Sequence, residues 1–348
     1  MGQDLLLIGS IPYDTVEEVI RRFGAPLGAY LPAMPDGEVG DRRWWVLRIS
    51  YQVFNGHLDL DTVKRPAPDN GVERLLPRDR GDYWQFQVKD GVAQVRFGDP
   101  GWRLGFARGA VNSYFVFRTL REQGVVPQGL RFQVSLPLVG SVVRPITFPR
   151  PGDVERVRDG YEAALGAEIE KIVEKIPAQD LALQWDLAQE IIDLYAPGGA
   201  AAMERHVAQV RNLSRRVPES VALGIHLCFG TYGGWPRFAP DDLGIAVDYA
   251  NACVAAAGRR VDWLHIPAID TTADRFYAPL ARLDPRGARV YLGLIHNMAT
   301  YKDRLAAARK ALPGFGIAAY CGLGRHATSE LPQLLDDHLA ALKIARSP

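Results

Sequence analysis

Cysteine is scarce in this chain, three residues in 348. Three thiols cannot build the disulfide framework of a small secreted domain, and the odd number leaves at least one free or bound to something else. An excess of either charge is missing too: 41 Lys and Arg stand against 40 Asp and Glu, a formal net charge of +1. Without basic blocks there is no electrostatic footprint for DNA, RNA or an anionic membrane surface, so neither nucleic acid nor membrane is an expected partner. No run reaches the roughly 18 to 20 apolar residues of a membrane span. The opening residues, Met1-Gly2-Gln3-Asp4 before Leu5-Leu6-Leu7-Ile8, lack the basic n-region and long apolar core of a signal peptide. Internal repeats and low-complexity tracts are also absent. What remains is 47% hydrophobic, enough for a large core, and the expectation is a cytoplasmic enzyme. Nothing in the sequence sets an oligomeric state.

Apolar, β-rich segments bounded by turn residues alternate with longer stretches of helical period, the signature of parallel βα units. Eight strands are expected: Leu5 to Ser10, Gly28 to Ala33, Leu130 to Leu136, Leu181 to Asp186, Ala222 to Cys228, Val261 to Ile266, Val290 to His296 and Gly316 to Cys321. Val154, Val157, Tyr161, Leu165, Ile169, Ile172 and Ile176 recur every three or four residues, one apolar stripe on a helix that starts near Pro151. Leu331, Leu334, Leu335, Leu339 and Leu342 do the same at the end of the chain. Eight strand–helix units in a chain of this length predict a single α/β domain over residues 1–348, a (β/α)8 TIM barrel.

Residues 57–104 break the rhythm. Pro66, Pro68, Pro77 and Pro100 punctuate them, and no long helical period runs through. Period-two alternation in Trp84–Val88 and Val92–Phe97 around Lys89-Asp90-Gly91 predicts a hairpin inserted between the second and third barrel strands. The insertion, with Trp84 and Trp102, either covers the catalytic mouth as a lid or braces the outer wall.

In a parallel barrel the reactive groups gather where strands end and βα loops begin. Ser10, Glu38, Asp186, His226, Cys228, His265, His296 and Cys321 all fall at or just past expected strand ends. In Ile225-His226-Leu227-Cys228 the alternation puts an imidazole and a thiol on one face, a bidentate grip for a metal. Zinc takes Cys sulfur at ~2.3 Å and His nitrogen at ~2.0 Å, and a catalytic site uses three protein ligands and an open position. Cys321, ending the eighth strand, offers a second thiolate. His and Cys on a buried strand are also ordinary core residues. Cys253, in a helical stretch of alanines, reads as packing alone. Asp186 closes an apolar strand, where it either meets a ligand or caps the next helix. Glu38 sits in the turn-like Pro35-Asp36-Gly37-Glu38-Val39-Gly40, and His296 follows a strand in position for proton transfer. Gly322-Leu323-Gly324 lacks the full dinucleotide fingerprint and follows the last strand rather than the first, which argues against NAD or FAD.

Taken in order, these segments resemble the cobalamin-independent methionine synthase superfamily, specifically its catalytic C-terminal barrel, and the related zinc-dependent alkyltransferases. Ile8-Gly9-Ser10 is similar to the family's opening strand, Gly37-Glu38 to its acidic loop and Leu183-Gln184-Trp185-Asp186 to the strand with its acidic substrate ligand. His226-x-Cys228 is similar to the zinc pair, Leu294-Ile295-His296 to the catalytic-histidine strand and Tyr320-Cys321-Gly322-Leu323 to the segment with the last zinc thiolate. The resemblance implies zinc on His226, Cys228 and Cys321. It implies a homocysteine-like thiol held by Ile8, Ser10, Glu38 and Asp186, with the two carboxylates on its ammonium. Methyl or alkyl would pass from a small-molecule donor to the zinc-activated sulfur, with His296 assisting the leaving group.

The chain departs from the family in three places. Where the family carries a further zinc-binding Glu on the sixth strand, Trp263-Leu264-His265-Ile266-Pro267 has none; either His265 substitutes or the protein supplies three ligands. Leu187-Ala188 replaces the Glu-Pro after the acidic strand, and there is one barrel rather than two. Two rival activities follow from the same fold. An epoxyalkane:coenzyme M type transferase would want Arg or Lys for its sulfonate acceptor, where this chain has Glu38 and Asp186. The metal-free uroporphyrinogen decarboxylases lack the HxC…C set that this chain has. A barrel that binds a thiol or metal without turnover is the non-enzymatic alternative.

Overall fold

A computed structural model of the chain describes residues 3–98 and 101–347. Pro100, one of the prolines that punctuate the insertion, lies outside them, as do Met1 and Gly2. The strands are β1 (Leu5–Leu6), β2 (Ala33–Pro35), β3 (Leu60–Lys64), β4 (Gln85–Val88), β5 (Arg131–Pro137), β6 (Leu181–Leu187), β7 (Ala222–Leu227), β8 (Trp263–Pro267), β9 (Arg289–Ile295) and β10 (Gly316–Ala319). Eight of them form one parallel sheet in the order β1-β10-β9-β8-β7-β6-β5-β2. The seam between β1 and β2 is held by a parallel bridge from Ser10 to Gly37 and by Ile11 N–H donating to the Gly37 carbonyl at 2.9 Å. With helices between the strands this is a nearly closed (β/α)8 barrel. No helix among the described residues is long and apolar enough to cross a membrane.

Two cores hold the barrel. The larger lies between the sheet and its surrounding helices, and the stripe predicted after Pro151 belongs to it: in the helix Asp153–Lys175, Val157, Tyr161, Leu165, Ile169 and Ile172 are buried. In the last helix, Leu331–Arg346, the stripe is truer at its ends than at its middle, since Leu331 and Leu342 are buried while Leu339 is exposed. The smaller core fills the barrel interior with Leu6, Ile8, Ala33, Ala182, Ala222, Trp263, Tyr291 and Ala318. Two large rings among small neighbours fill that narrow space, and the backbone had to yield to them. A Cβ on Gly224 would come within 2.0 Å of the Trp263 ring, so only glycine fits beside it.

Two sequence expectations need correction. The second barrel strand is Ala33–Pro35, not Gly28 to Ala33; residues 28–30 form a turn of 3-10 helix closed by Leu31 N–H to the Gly28 carbonyl. The hairpin also has a different partner. Strand β4 pairs antiparallel with β3, some two dozen residues upstream, and residues 92–97 are not a strand. Their alternation has another cause: Val95 and Phe97 are buried, and Val95 N–H donates to the Arg156 carbonyl of the neighbouring helix at 3.0 Å. Side-chain period two records which face is buried, and a helix can cover that face as well as a sheet can.

Candidate functional site

Strand register brings the first three candidates together. Asp186 on β6 aligns with His226 on β7, and His226 aligns with His265 on β8. In a parallel ladder, aligned residues point to the same side, so an acid and two imidazoles form a row at the end of the barrel where the βα loops gather. Cys228 follows β7 and keeps pairing by donating its N–H to the Leu187 carbonyl at 3.1 Å. Cys321 lies two residues past β10. Its Sγ stands 3.0 Å from that of Cys228, although 93 residues separate them in sequence, and 3.7 Å from His226 Nε2.

Among the described residues, His226, Cys228 and Cys321 are the three His, Cys, Asp or Glu side chains grouped closely enough to hold an ion, with ligand atoms all within 4.8 Å of one another. Two sulfurs and one imidazole suit zinc by chemistry. Two thiolates on a tetrahedral zinc stand roughly 3.8 Å apart for bonds of ~2.3 Å, so the thiols would part by less than an ångström. The donor set therefore fits a metal ion. Without one, the hydrogen bond to Cys228 and then burial hold the Cys321 thiol well above the usual range.

His265 is placed behind this group rather than in it. Its Nδ1 lies 2.7 Å from Nδ1 of His226, and its Nε2 lies 3.1 Å from the Ala319 carbonyl. Burial pushes the His265 imidazole down to about 3, and burial together with His265 holds His226 far below its ordinary value, so both rings are neutral. A neutral imidazole has one donor and one acceptor nitrogen. A carbonyl can only accept, so with the Ala319 bond made His265 carries its proton on Nε2 and accepts at Nδ1, the side of the ring left to His226 and the Leu227 backbone. His226 must then donate from Nδ1, which leaves the lone pair of its Nε2 facing the thiols. The tautomer a metal needs is thus set two residues away, at the Ala319 carbonyl.

The carboxylates are built from different strands. Asp36-Gly37-Glu38 turns sharply: Asp36 Oδ1 accepts from Glu38 N–H at 2.8 Å, and Gly37 and Glu38 both have positive φ, +78° and +51°. A Cβ on Gly37 would come within 2.6 Å of Val19, so that position needs glycine. Glu38 has a Cβ and holds the left-handed conformation at a cost of order 1–3 kcal/mol, which aims its side chain into the barrel mouth. There burial and then Asp36 push its carboxyl up to about 7, with a Ser10 hydrogen bond working the other way. Burial and then Glu38 raise Asp186 well above the usual carboxylate range. Asp186 is steadied by Gln184, whose amide donates to it and to the Ile8 carbonyl, each at 2.8 Å, while Trp263 Nε1 donates to Gln184 Oε1 at 3.0 Å. Ser10 packs against Gly322 and Gly324, where any Cβ would come within 2.8 Å of its Oγ. Those glycines make room for Ser10.

These groups share one cavity that opens to solvent, with about 900 Å³ of empty space when the open mouth is counted. It is lined by Ile8, Ser10, Glu38, Asp186, His226, Cys228 and Cys321. His296 is not among its lining residues. It is half-buried, its Nε2 donates to the Ala268 carbonyl at 3.0 Å, its ring meets that of Tyr320, and burial lowers it to about 4. The insertion touches both places expected of it. Trp102 lies against Lys171 on the outer wall and Trp84 is buried with its Nε1 donating to the Leu75 carbonyl, whereas Tyr83 lines the cavity. Sequence reasoning missed Tyr83, Tyr232 and above all Arg43, Arg144, Arg237 and Arg325, all of which line the cavity. The last four follow strands β2, β5, β7 and β10, Arg43 in the 3-10 helix Gly40–Trp44 and the others in loops, the position that singled out the acids and thiols.

No known protein family matches the sequence, and no curated protein does. The fold is similar to that of a solved methyltransferase from Methanosarcina mazei, with 13% sequence identity over 96% of this chain and 94% of that one and a TM-score of 0.49. It is more distantly similar to the carboxyl transferase domain of Rhizobium etli pyruvate carboxylase, with 13% identity over 86% of this chain and 57% of that one and a TM-score of 0.26.

Proposed function

We propose that the protein is a zinc-dependent transferase that moves a methyl or other alkyl group from a small-molecule donor to a homocysteine-like thiol. The observation that carries this reading is the convergence of His226, Cys228 and Cys321 in a cavity that also holds Glu38 and Asp186. Three protein ligands are what a catalytic zinc site uses, with one position for an exchangeable group. Bound there, the ion would supply the acidity that turns a thiol into its nucleophilic anion at neutral pH.

The chain's own residues do the remaining work. Glu38 and Asp186 take the acceptor's ammonium between them; burial raises both carboxyls, Asp36 adding to it at Glu38 and Glu38 adding to it at Asp186, so a cation between them favours the ionised forms. Gln184, braced by Trp263, holds Asp186 in position. His265 keeps the His226 lone pair turned toward the thiols. Tyr83 extends the insertion to the cavity and Tyr232 ties it down by donating to the Pro77 carbonyl at 2.5 Å, which supports a lid role for this segment. The net change is one new carbon–sulfur bond, one broken bond from that carbon to its leaving group, which departs with the bonding pair, and transfer of the thiol proton to solvent or to that leaving group. His296, the proton donor to the leaving group that the resemblance implies, would have to release its bond to the Ala268 carbonyl to act there.

The test is metal content by elemental analysis of wild type, Cys228→Ser and Cys321→Ser, followed by calorimetric titration with homocysteine. The expected result is about one zinc per chain in wild type, lost from both variants together with thiol binding. Wild type that takes up no zinc after reconstitution would overturn the proposal.

A further inference from the structure

The buried end of the cavity carries thiols and acids, and its more exposed wall carries the opposite charge. Arg43, Arg144 and Arg237 are half-buried and Arg325 is exposed, and among the described residues none of the four has a carboxylate oxygen within 4.0 Å. Arginine does not discharge itself, since its guanidinium stays protonated in proteins. Their arrangement shows what they do instead. Arg144 and Arg237 both donate from Nη1 to a single neutral oxygen, Gln189 Oε1, at 2.9 and 3.3 Å. Two like charges are thereby held around one amide, with no carboxylate oxygen of the described residues within 4.0 Å of either. Arg144 lies over the Tyr83 ring, 5.4 Å from its centre, and its Nε is buried without a partner. The Nε of Arg43 is buried and unpartnered too. Arg325 is fixed between Trp44 and Tyr232, at 5.3 and 5.9 Å from their ring centres. Rings that stack on a guanidinium orient it without using its hydrogen-bond donors.

We infer that this wall is a subsite for an oxyanion on the alkyl donor, a carboxylate, phosphate or sulfonate, received by Arg144 and Arg237 together. The inference rests on the proposed alkyl transfer and names the donor's chemical class. One guanidinium can take an amino-acid carboxylate by two parallel bonds. Four exceed what a single acceptor requires and leave donors for a second anion. The acceptor's ammonium is placed at Glu38 and Asp186, so the arginine wall falls to its reaction partner. These four arginines are the cations that a sulfonate would want, at positions apart from Glu38 and Asp186.

The experiment is calorimetric titration of inorganic phosphate, sulfate and malonate into the zinc-loaded protein, alone and saturated with homocysteine. Wild type is expected to bind at least one of the three with homocysteine in place, and the tightest identifies the oxyanion. Arg144→Gln and Arg237→Gln are expected to weaken that binding by roughly tenfold or more each, the loss of a charge-assisted contact, with zinc content unchanged. Binding of none of the three anions, equal binding by both variants, or displacement of the anion by homocysteine would overturn the inference. Cys228→Ser separates the two proposals: anion binding retained after loss of zinc supports an independent subsite. Wild type that binds the anion but no zinc would refute the transferase reading and leave the subsite intact.

Discussion

Replacing His265 by leucine should weaken zinc binding without removing a single metal ligand. His265 Nδ1 is the acceptor for His226 Nδ1–H at 2.7 Å, and both rings are buried. Without it, the His226 N–H is left unpaired in an apolar setting, at a cost of about 1–3 kcal/mol. The ring can escape that cost by moving its proton to Nε2, but that nitrogen faces the thiols and would no longer ligate. Either way the penalty falls on metal affinity, and about 1–3 kcal/mol corresponds to roughly 5- to 150-fold. Partners behind metal-binding histidines are typically worth ~10- to 100-fold, which falls inside that range. The assay is competition for zinc against a chromophoric chelator at fixed pH, with thermal unfolding as the control for folding. His265→Asn supplies an oxygen near the position of Nδ1 and should recover most of the affinity. A His265→Leu protein that melts like wild type and binds zinc equally tightly would refute the proton assignment along Ala319, His265 and His226.

Three further outcomes are expected. Glu38 has a folded pKa pushed up to about 7, so the stability this group contributes is present below about pH 4.5 and is lost as pH rises through about 7. An ammonium ligand needs the ionised form, so the affinity for 2-aminobutyrate, which has the ammonium and no thiol, should rise by up to roughly tenfold per pH unit from 6 to 7 and level off above it; Glu38→Gln should flatten the profile measured by calorimetry. Gly160→Ala, which in an exposed helix would stabilise by ~1 kcal/mol, should instead destabilise by about 1–3 kcal/mol in denaturant unfolding, because the new Cβ would sit 1.8 Å from the Val95 carbonyl oxygen. Trp84→Ala should cost about 3–5 kcal/mol by the same measurement, since the ring is buried, stacked on Phe86 and hydrogen-bonded to the Leu75 carbonyl; a change under ~1 kcal/mol would mean the insertion does not unfold with the barrel.

The predicted strands from Leu130 onward recur as β5 to β10, because in a parallel barrel each is largely buried on both faces and reads as a predominantly apolar run. The second strand was harder to see. Leu27, Leu31, Ala33 and Met34 are all buried, so hydrophobicity alone gives no boundary between the 3-10 turn and the strand. The hairpin failed for a related reason: Lys89-Asp90-Gly91 is a good local turn, but the partner of Gln85–Val88 lies far upstream, beyond the reach of any short-range signal.

Chemical identity at the strand ends is a property of the sequence alone. His226 and Cys228 share a face by strand periodicity, and Ser10, Glu38, Asp186 and Cys321 stand at their ends by position. What those residues do together belongs to the tertiary structure. Barrel closure places Cys321 3.0 Å from Cys228. Strand register puts His265 behind His226, where its Nδ1 serves as an acceptor for an N–H. Packing turns His296 to the Ala268 carbonyl and brings Arg43, Arg144, Arg237 and Arg325 to a cavity that the acids had made look anionic. Periodicity along a chain records burial, one residue against its near neighbours. Hydrogen-bond partners, tautomers and charge balance depend on groups that only the closed barrel makes adjacent.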